Sequence, residues 1–460
     1  MKAQIGFGLA LLALVGCGSG SSSGRAASAT AAATTSASSA AATTSSATGA
    51  GPASSTTANP LASIPPVLTG ASESEGFNDR AQTIVLSGSG FFRGAVVRLA
   101  GPTPHLAIQV DVQTENRIEA VLPAGAEPGA YTLEVETAGG TAQGPSYTVR
   151  NLLDVDQAGA FEVGYEDRQM TGASGDQVDV RVYYPALTKG QGTPADSGAA
   201  PYPVVVYSHG FKPFAFSAGI DYRNNTFLVE TLASFGYVVV CPDLSSNNVY
   251  FGSNGTGQAN SQRDAEDALA AIDFAALLGQ DPTHPLFALV DEDRAGLAGH
   301  SRGADGSLIA AADEVVARAA QARVKAVVAF APPSKDSRNS NAALQFGDFS
   351  SIPTFLVGAS RDSIAPISDQ QDILALAGAP SWLFEITGGN HSQYKDSATR
   401  ILSDGSSSIL LTEQQAICRR YATAWLHRHV KGLDLPAINA RILNGSEVVA
   451  DTRITGVTTR

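Results

Sequence analysis

One serine of the chain lies in a sequence pattern that could make it a nucleophile. Ser301 is the centre of GHSRG at residues 299–303, between an apolar segment that predicts a strand and an Ala-rich segment that predicts a helix. At a sharp strand-to-helix turn of this kind the serine oxygen is exposed beside a helix N-terminus, and the two glycines let strand and helix pack closely. The same pattern at residues 20–24 lies in a low-complexity segment, so we interpret that second match as chance.

A serine hydroxyl attacks an acyl group only when a base removes its proton and an acid orients that base. The turn around Ser301 resembles the nucleophile turn of α/β-hydrolases, in which the chain order is serine, acid, histidine. His391 fits the base, because it follows Ser301 in the chain and comes directly after an apolar strand, in GGNH at residues 388–391. The other six histidines precede or adjoin the serine or lie two apart on one predicted helix: His105, His209, His284, His300, His427 and His429.

Asp362 is the predicted acid. It follows the predicted strand at residues 354–357, and active-site groups collect at the carboxyl ends of parallel strands. The chain has room for one strand–helix unit between Ser301 and Asp362, and for another between Asp362 and His391. Asp336, one loop earlier in the chain, remains the alternative acid.

Ester hydrolysis also needs hydrogen-bond donors that face the developing oxyanion. The backbone N–H of Arg302, directly after the nucleophile, is one predicted donor. The backbone N–H of Phe211 is the other, because SHGFKP at residues 208–213 forms the loop after an early strand. His209 in this loop is interpreted as a structural hydrogen-bonding residue rather than a catalyst.

These residues require a sheet whose strands end at one edge. From about residue 159, apolar segments that predict strands alternate with Ala- and Leu-rich segments that predict helices. The predicted strands are 178–184, 203–207, 237–241, 295–298, 324–330, 354–357 and 382–386. The predicted helices are 225–235, 262–278, 306–322, 369–377 and 413–430. The strands from residue 203 on lack clean period-two alternation, which is typical of parallel strands covered on both faces. The sequence therefore predicts an α/β fold with a doubly wound, mostly parallel sheet.

The predicted catalytic domain, residues 159–432, resembles the α/β-hydrolase superfamily, near the branch that holds chlorophyllases, platelet-activating-factor acetylhydrolase-like esterases and cutinase-like polyester hydrolases. The motifs that carry this resemblance are Tyr184-Pro185, Tyr207-Ser208-His209-Gly210-Phe211, Asp243, GHSRG at 299–303, Ala329-Phe330-Ala331-Pro332, Asp362 and Gly389-Asn390-His391. The resemblance implies hydrolysis of carboxylic esters through an acyl-enzyme on Ser301, with His391 as general base and Asp362 as orienting acid. It implies neither a metal nor a cofactor.

Two other functions remain open. A cell-surface binding or adhesion lipoprotein could use the same body as a scaffold, and an amidase or peptidase would use the same three residues. An intact set of serine, acid and histidine favours the enzyme. The loops at residues 244–261, 334–350 and 392–411 lie on the catalytic side and are too short for a cap domain, so we expect an open cleft that admits bulky or polymeric esters.

The N-terminus predicts export and a lipid anchor. A basic start and the apolar residues 5–15 are typical of a signal peptide, and LVGC at 14–17 resembles the lipobox of bacterial lipoproteins. The resemblance implies a signal at residues 1–17 and acyl chains on Cys17 that hold an exported lipoprotein on a membrane. An ordinary signal peptide with a chance cysteine is the alternative. Residues 18–60, almost entirely Ala, Ser, Thr, Gly and Pro, predict a flexible tether.

Residues 61–150 alternate short strands with glycine turns and predict a small all-β sandwich. GSGF at 88–91, LPAG at 122–125 and PGAY at 128–131 resemble the IPT/TIG immunoglobulin-like family. Such domains are spacers or binding modules, so a surface partner is one expectation. Residues 433–460 form a C-terminal tail that would add one strand.

Composition excludes several functional classes. The formal net charge is −13 at pH 7, and nucleic-acid binders concentrate positive charge, so no nucleic-acid partner is expected. Three cysteines are too few for a disulfide scaffold or a Cys-based zinc site. Whether Cys241 and Cys418 form a disulfide is left open. Arg263 and Asp264 are interpreted as surface or helix-capping charges.

Overall fold

The computed structural model describes residues 64–101, 103–107, 109–211, 221–247, 257–336, 342–397, 399–401 and 403–460. The predicted signal, Cys17 and the predicted tether at residues 18–60 lie outside the described residues. The described residues belong to one compact unit that extends from Ala58 to Arg460. Among them, no helix has both the length and the apolar composition needed to cross a membrane.

Nine strands of the described residues before position 151 form two sheets around one hydrophobic core. They are β1 Val67–Ala71, β2 Glu75–Phe77, β3 Gln82–Ser89, β4 Val96–Ala100, β5 His105–Leu106, β6 Gln109–Thr114, β7 Arg117–Leu122, β8 Gly129–Thr137 and β9 Gly140–Arg150. One sheet has the order β1-β3-β7-β6 and the other β2-β9-β8-β4-β5. Because successive side chains of a strand point to opposite faces, alternate residues such as Ile84 and Leu86 of β3 are buried in this core.

A ten-stranded sheet forms the rest of the molecule's framework. The later strands are β10 Glu162–Thr171, β11 Gln177–Ala186, β12 Gly190–Gln191, β13 Tyr202–Ser208, β14 Val238–Pro242, β15 Val290–His300, β16 Val324–Phe330, β17 Lys335–Asp336, β18 Ala342–Ala343, β19 Thr354–Ala359, β20 Ser381–Ile386 and β21 Ile454–Thr459. The sheet has the order β12-β10-β11-β14-β13-β15-β16-β19-β20-β21, and β17 and β18 form a separate hairpin. The five pairs from β14 to β20 are parallel. The predicted mostly parallel sheet is therefore confirmed.

The α-helices of the described residues are α1 Thr226–Ser234, α2 Gly257–Gln280, α3 Arg302–Arg318, α4 Ile367–Leu374, α5 Leu411–His429, α6 Pro436–Asn439 and α7 Ser446–Ala450. Helices α1 to α5 contact strands of this sheet, and α6 packs on α5. Helix α2 packs against α3, and α1 packs against α5. Consecutive residues of β13, such as Val204, Val205 and Val206, are fully buried. Since their side chains point to opposite faces, the sheet lies between two helical layers.

Several element boundaries differ from the predictions. Helix α3 begins at Arg302 rather than at residue 306, and α2 begins at Gly257 rather than at residue 262. Glycine lowers the helix propensity of the first turn of α3. Gly306, however, packs so closely on α2 that an added Cβ would lie 2.8 Å from Asp264 Cβ, so tertiary packing outweighs propensity here.

Antiparallel pairs lie on both sides of the parallel strands, although β12 at one edge pairs parallel with β10. Strand β11 pairs antiparallel with β14, and β21 pairs antiparallel with β20 at the opposite edge. Strand β21 is the added strand expected in the tail. Cys241 and Cys418, whose pairing the sequence left open, are both buried and free.

Candidate active site

The parallel strands bring the predicted site residues to one edge of the sheet. Ser301 directly follows β15, while Asp362 and His391 lie in the loops after β19 and β20. Phe211 lies in the loop after β13. Because neighbouring parallel strands end at the same edge, residues that are far apart in the chain become neighbours in space.

The backbone of Ser301 is held in a strained conformation. Its φ is 56° and its ψ is −128°, a region that costs a non-glycine residue on the order of 1–3 kcal/mol. The Ser301 N–H donates a hydrogen bond to Phe330 O at 2.8 Å. A Cβ on Gly299 would collide with Gly303 O, and a Cβ on Gly303 would collide with Ser208 O. Both positions therefore require glycine, and the tight turn presents Ser301 at the N-terminus of α3.

His391 and Asp362 form a buried hydrogen bond. His391 Nδ1 donates to Asp362 Oδ2 at 2.8 Å. The other carboxylate oxygen, Oδ1, accepts from the backbone N–H groups of Ile364 and Ala365, each at 2.8 Å. The backbone thus fixes the carboxylate, and the bond to Nδ1 leaves His391 Nε2 as the proton acceptor. Asp336, the alternative acid, lies in β17, while Asp362 makes the contact that an orienting acid requires.

The turn at Ser301 lies directly against His391. The ring centroids of His300 and His391 are 4.5 Å apart, and Ser301 is the next residue after His300. Burial, with the nearby charges of His391 and Lys395, lowers the pKa of His300 well below its ordinary value. A neutral His300 places no positive charge beside His391, and a histidine that acts as general base in acyl transfer has to become an imidazolium.

A buried carboxylate joins the loops that carry His391 and Asp362. Asp404 Oδ2 accepts hydrogen bonds from the Ser392 backbone N–H at 2.8 Å and from the Ser392 hydroxyl at 2.7 Å. Asp404 Oδ1 accepts from the Ser363 N–H at 3.4 Å. Since Ser392 follows His391 and Ser363 follows Asp362, Asp404 fixes the two loops relative to each other.

The loop after β13 passes beside the nucleophile. A Cβ on Gly210 would lie 3.3 Å from Ser301 Cβ, so the peptide that joins Gly210 to Phe211 borders Ser301. His209 is buried, its Nδ1 donates to Gly210 O at 2.7 Å, and its Nε2 accepts from the Leu244 N–H at 2.9 Å. These contacts are those of a structural hydrogen-bonding residue.

The side chain of Arg302 is tied to α2 by a buried ion pair. Arg302 Nε donates to Asp264 Oδ2 at 2.6 Å and Arg302 Nη2 to Asp264 Oδ1 at 3.3 Å. Asp264 is fully buried, so its interpretation as a surface or helix-capping charge is wrong. Burial raises the pKa of Asp264, and the Arg302 charge opposes that rise.

Sequence reasoning missed Asp264, Asp404 and Gln414. Gln414 of α5 holds Asn390, with Gln414 Nε2 donating to Asn390 O at 2.9 Å and Gln414 Oε1 accepting from the Asn390 N–H at 3.0 Å. These residues are distant in sequence from the groups they hold, so local spacing does not reveal them. For Asp264 a signal does exist, because it shares helical spacing with the buried residues Ala268 and Ala271.

The site contains a serine, a histidine and a carboxylate, which are the three groups that acyl transfer on a serine uses. In the part of the chain that the structure describes, no group of three or more His, Cys, Asp or Glu side chains could hold a metal ion.

The PET hydrolase-like (PETase) family model matches residues 136–432. The match begins within β8 and includes Ser301, Asp362 and His391. No curated protein matches the chain. Because the family match covers well over half of the chain, the protein belongs to the PET hydrolase-like family of ester hydrolases with the α/β-hydrolase fold.

Proposed function

We propose that the protein hydrolyses carboxylic esters through an acyl-enzyme on Ser301, with His391 as general base and Asp362 as orienting acid. The observation that carries this proposal is the buried 2.8 Å hydrogen bond between His391 and Asp362. It lies next to a serine with a φ of 56°, a strain that a scaffold without chemistry has no reason to retain. This combination favours an enzyme over a binding lipoprotein.

The reaction begins when His391 Nε2 takes the Ser301 proton as Ser301 Oγ forms a bond to the ester carbonyl carbon. The carbonyl electron pair moves onto its oxygen, where the backbone N–H groups of Phe211 and Arg302 stabilise the oxyanion. The carbonyl then reforms, the bond to the leaving alkoxide breaks, and His391 returns the proton to that alkoxide. Water, deprotonated by His391, attacks the acyl carbon in the same way and releases the carboxylic acid and free Ser301.

We infer that the substrates are bulky esters, including the polymer PET that gives the family its name. The loop after His391 is bonded to the body of the protein and so does not cover the site. This supports access by bulky substrates. Asp396 in this loop accepts hydrogen bonds from the backbone N–H groups of Thr226 and Phe227, at 2.9 and 3.2 Å. A loop bonded to the start of α1 in this way does not form a cap.

The test is a series of p-nitrophenyl esters of increasing acyl length, with wild type, Ser301→Ala and Asp362→Asn. We expect Ser301→Ala to lower kcat by ~10⁶ and Asp362→Asn to lower it by ~10⁴, because the wrong tautomer of the histidine is favoured. Ser350→Ala, at an exposed turn, is the control and should keep wild-type kcat. Equal activity of wild type and Ser301→Ala would overturn the proposal.

Substrate class is tested with the same proteins. Wild type should release soluble aromatic acids from PET film, and Ser301→Ala should not. Matched p-nitroanilides distinguish the amidase alternative, since faster cleavage of an anilide than of the ester with the same acyl group would contradict an esterase.

We also propose that acyl chains on Cys17 anchor the enzyme to a membrane, with residues 18–60 as tether and residues 61–150 as an IPT/TIG-like spacer. More than one buried chain is needed for stable anchoring, which fits acylation at a lipobox cysteine. Cys17→Ser should move the protein from the membrane fraction to the soluble fraction and abolish incorporation of an alkyne fatty acid. A Cys17→Ser protein that stays labelled and membrane-bound would contradict the anchor.

A further inference from the structure

We propose that Asp264 is a positioning residue for the oxyanion hole. It acts through Arg302 and a series of hydrogen bonds that ends at the peptide between Gly210 and Phe211. The inference rests on the proposed function, because it concerns the two backbone donors of that same site.

The Asp264 carboxylate determines where the Arg302 guanidinium lies. The pair has two contacts, at 2.6 and 3.3 Å, and the side chain of Arg302 is only 8% exposed. Asn247 Nδ2 donates to Asp264 Oδ1 at 3.0 Å and to Asp267 Oδ2 at 2.9 Å, while Asp267 Oδ1 accepts from the Ala173 N–H at 3.0 Å. The carboxylate is therefore held on several sides, and a buried guanidinium without it would lack its compensating charge.

The first oxyanion donor belongs to the same residue as this guanidinium. The Arg302 N–H is the first of α3, directly after the strained Ser301. Anchoring the Arg302 side chain on α2 restrains the backbone from which that N–H extends. The direction of the Arg302 N–H thus depends on the contact between the Arg302 guanidinium and Asp264.

The second donor is reached through a series of three hydrogen bonds. Arg302 Nη2 donates to Leu244 O at 3.2 Å, the Leu244 N–H donates to His209 Nε2 at 2.9 Å, and His209 Nδ1 donates to Gly210 O at 2.7 Å. In a planar trans peptide the C=O and the N–H point in opposite directions. A bond that fixes Gly210 O therefore fixes the direction of the Phe211 N–H.

A direct contact reinforces this connection. Arg302 Cζ lies 5.6 Å from the centroid of the Phe211 ring, within the range of a cation–π interaction. The Arg302 guanidinium thus contacts the Phe211 ring directly. Through Leu244 and His209 it also supports the peptide between Gly210 and Phe211. Donors fixed before the reaction need no reorganisation in the transition state, which is the source of their catalytic effect.

The test compares Asp264→Asn with a matched control, Glu314→Gln. Glu314 Oε1 accepts from Arg323 Nε at 2.9 Å, and both residues are buried, but this pair lies near the C-terminal end of α3. Asp264→Asn should lower kcat by ~10², near the effect of losing one oxyanion donor, with KM changed by less than about threefold. Glu314→Gln should lower stability and leave kcat unchanged.

Binding of an alkylboronic acid supplies a readout that a purely structural role would not move. Its tetrahedral adduct on Ser301 places an oxygen in the oxyanion hole, so Asp264→Asn should raise its Ki by about the same factor as it lowers kcat. A double variant, Asp264→Leu with Arg302→Met, removes both charges and avoids an unpaired buried cation. It should fold and show the same loss of kcat.

Three results would overturn the inference: wild-type kcat and Ki in Asp264→Asn, wild-type kcat in the folded double variant, or an equal kcat loss in Glu314→Gln. If Asp264→Asn does not fold, the double variant decides. Failure of the proposed function is distinguishable, because wild type would then hydrolyse no ester or Ser301→Ala would match it. An active wild type, an inactive Ser301→Ala and an unaffected Asp264→Asn would contradict only the positioning role.

Discussion

Ser301 has to meet two demands at once. In the proposed mechanism its hydroxyl must face the substrate, while its backbone keeps a φ of 56°, a conformation that glycine adopts far more readily than serine. The glycines on either side serve close packing instead, because a Cβ on Gly299 would collide with Gly303 O and a Cβ on Gly303 would collide with Ser208 O. The strain is therefore stored in Ser301 itself.

Replacing Ser301 with glycine should consequently give a more stable protein than replacing it with alanine. Alanine keeps the strained Cβ, whereas glycine removes it, and we expect a difference of about 1 kcal/mol in the free energy of unfolding, after the entropy of the unfolded glycine chain is included. Urea unfolding measures this difference. At Ser307, within α3, the same two substitutions should rank in the opposite order. Alanine above glycine at both positions would contradict the strain.

At the scale of elements, the sequence was most informative where a strand, a turn and a helix are adjacent in the chain. The apolar strand, GHSRG and the Ala-rich segment predicted the turn at Ser301, and the strands before Asp362 and His391 predicted where those side chains emerge. The predicted helix began at residue 306 rather than at Arg302, because the low helix propensity of Gly303 carries no information on packing against α2. Asp264 could not be assigned its role, since its partner lies in another element.

The edge strand β21 gives a pH-dependent prediction. Asp451, just before β21, accepts hydrogen bonds from the Tyr421 hydroxyl at 2.7 Å and from Arg453 Nε at 2.8 Å. Burial alone would raise the pKa of Asp451, but the bonds from Arg453 and Tyr421 outweigh burial and lower it to about 2. A lowered folded-state pKa means that the ionised form stabilises the fold above the ordinary aspartate pKa, and that this contribution is lost as the pH falls towards 2.

Asp451→Asn should therefore lower the free energy of unfolding at pH 7 by about 1 kcal/mol or less, because solvent screens the partly exposed Arg453. The difference from wild type should shrink between about pH 4 and pH 2. Urea unfolding at a series of pH values measures it. Thr458→Ala, in β21 but without a titratable group, should give the same difference at every pH. If Asp451→Asn differed from wild type by the same free energy of unfolding at every pH, the stabilising role of the ionised Asp451 carboxylate would be contradicted.

At the scale of the whole molecule, the β-rich region before residue 151 and the ten-stranded sheet share packed residues. Phe77 of β2 packs against the core of the large sheet, with its ring centroid 5.5 Å from that of Phe161. Arg150, at the end of β9, lies over both rings, and its Nη2 donates to Ala160 O at 2.6 Å. Asn78 Oδ1 accepts from the Leu152 N–H at 2.7 Å. These contacts predict that the two regions unfold together.

Phe77→Ala should separate the two unfolding events, because it removes the ring that links the two cores and costs about 2–4 kcal/mol at a partly buried site. The only tryptophans of the chain, Trp382 and Trp425, are buried in the core of the large sheet, so their fluorescence reports that sheet alone, while far-UV circular dichroism reports both regions. The two signals should coincide in the wild type and in Phe287→Ala, because Phe287 is 48% exposed. In Phe77→Ala the dichroism should change at lower urea than the fluorescence. Coincident transitions in Phe77→Ala would show that the regions are coupled by other contacts, and separate transitions in the wild type would show that they are not coupled at all.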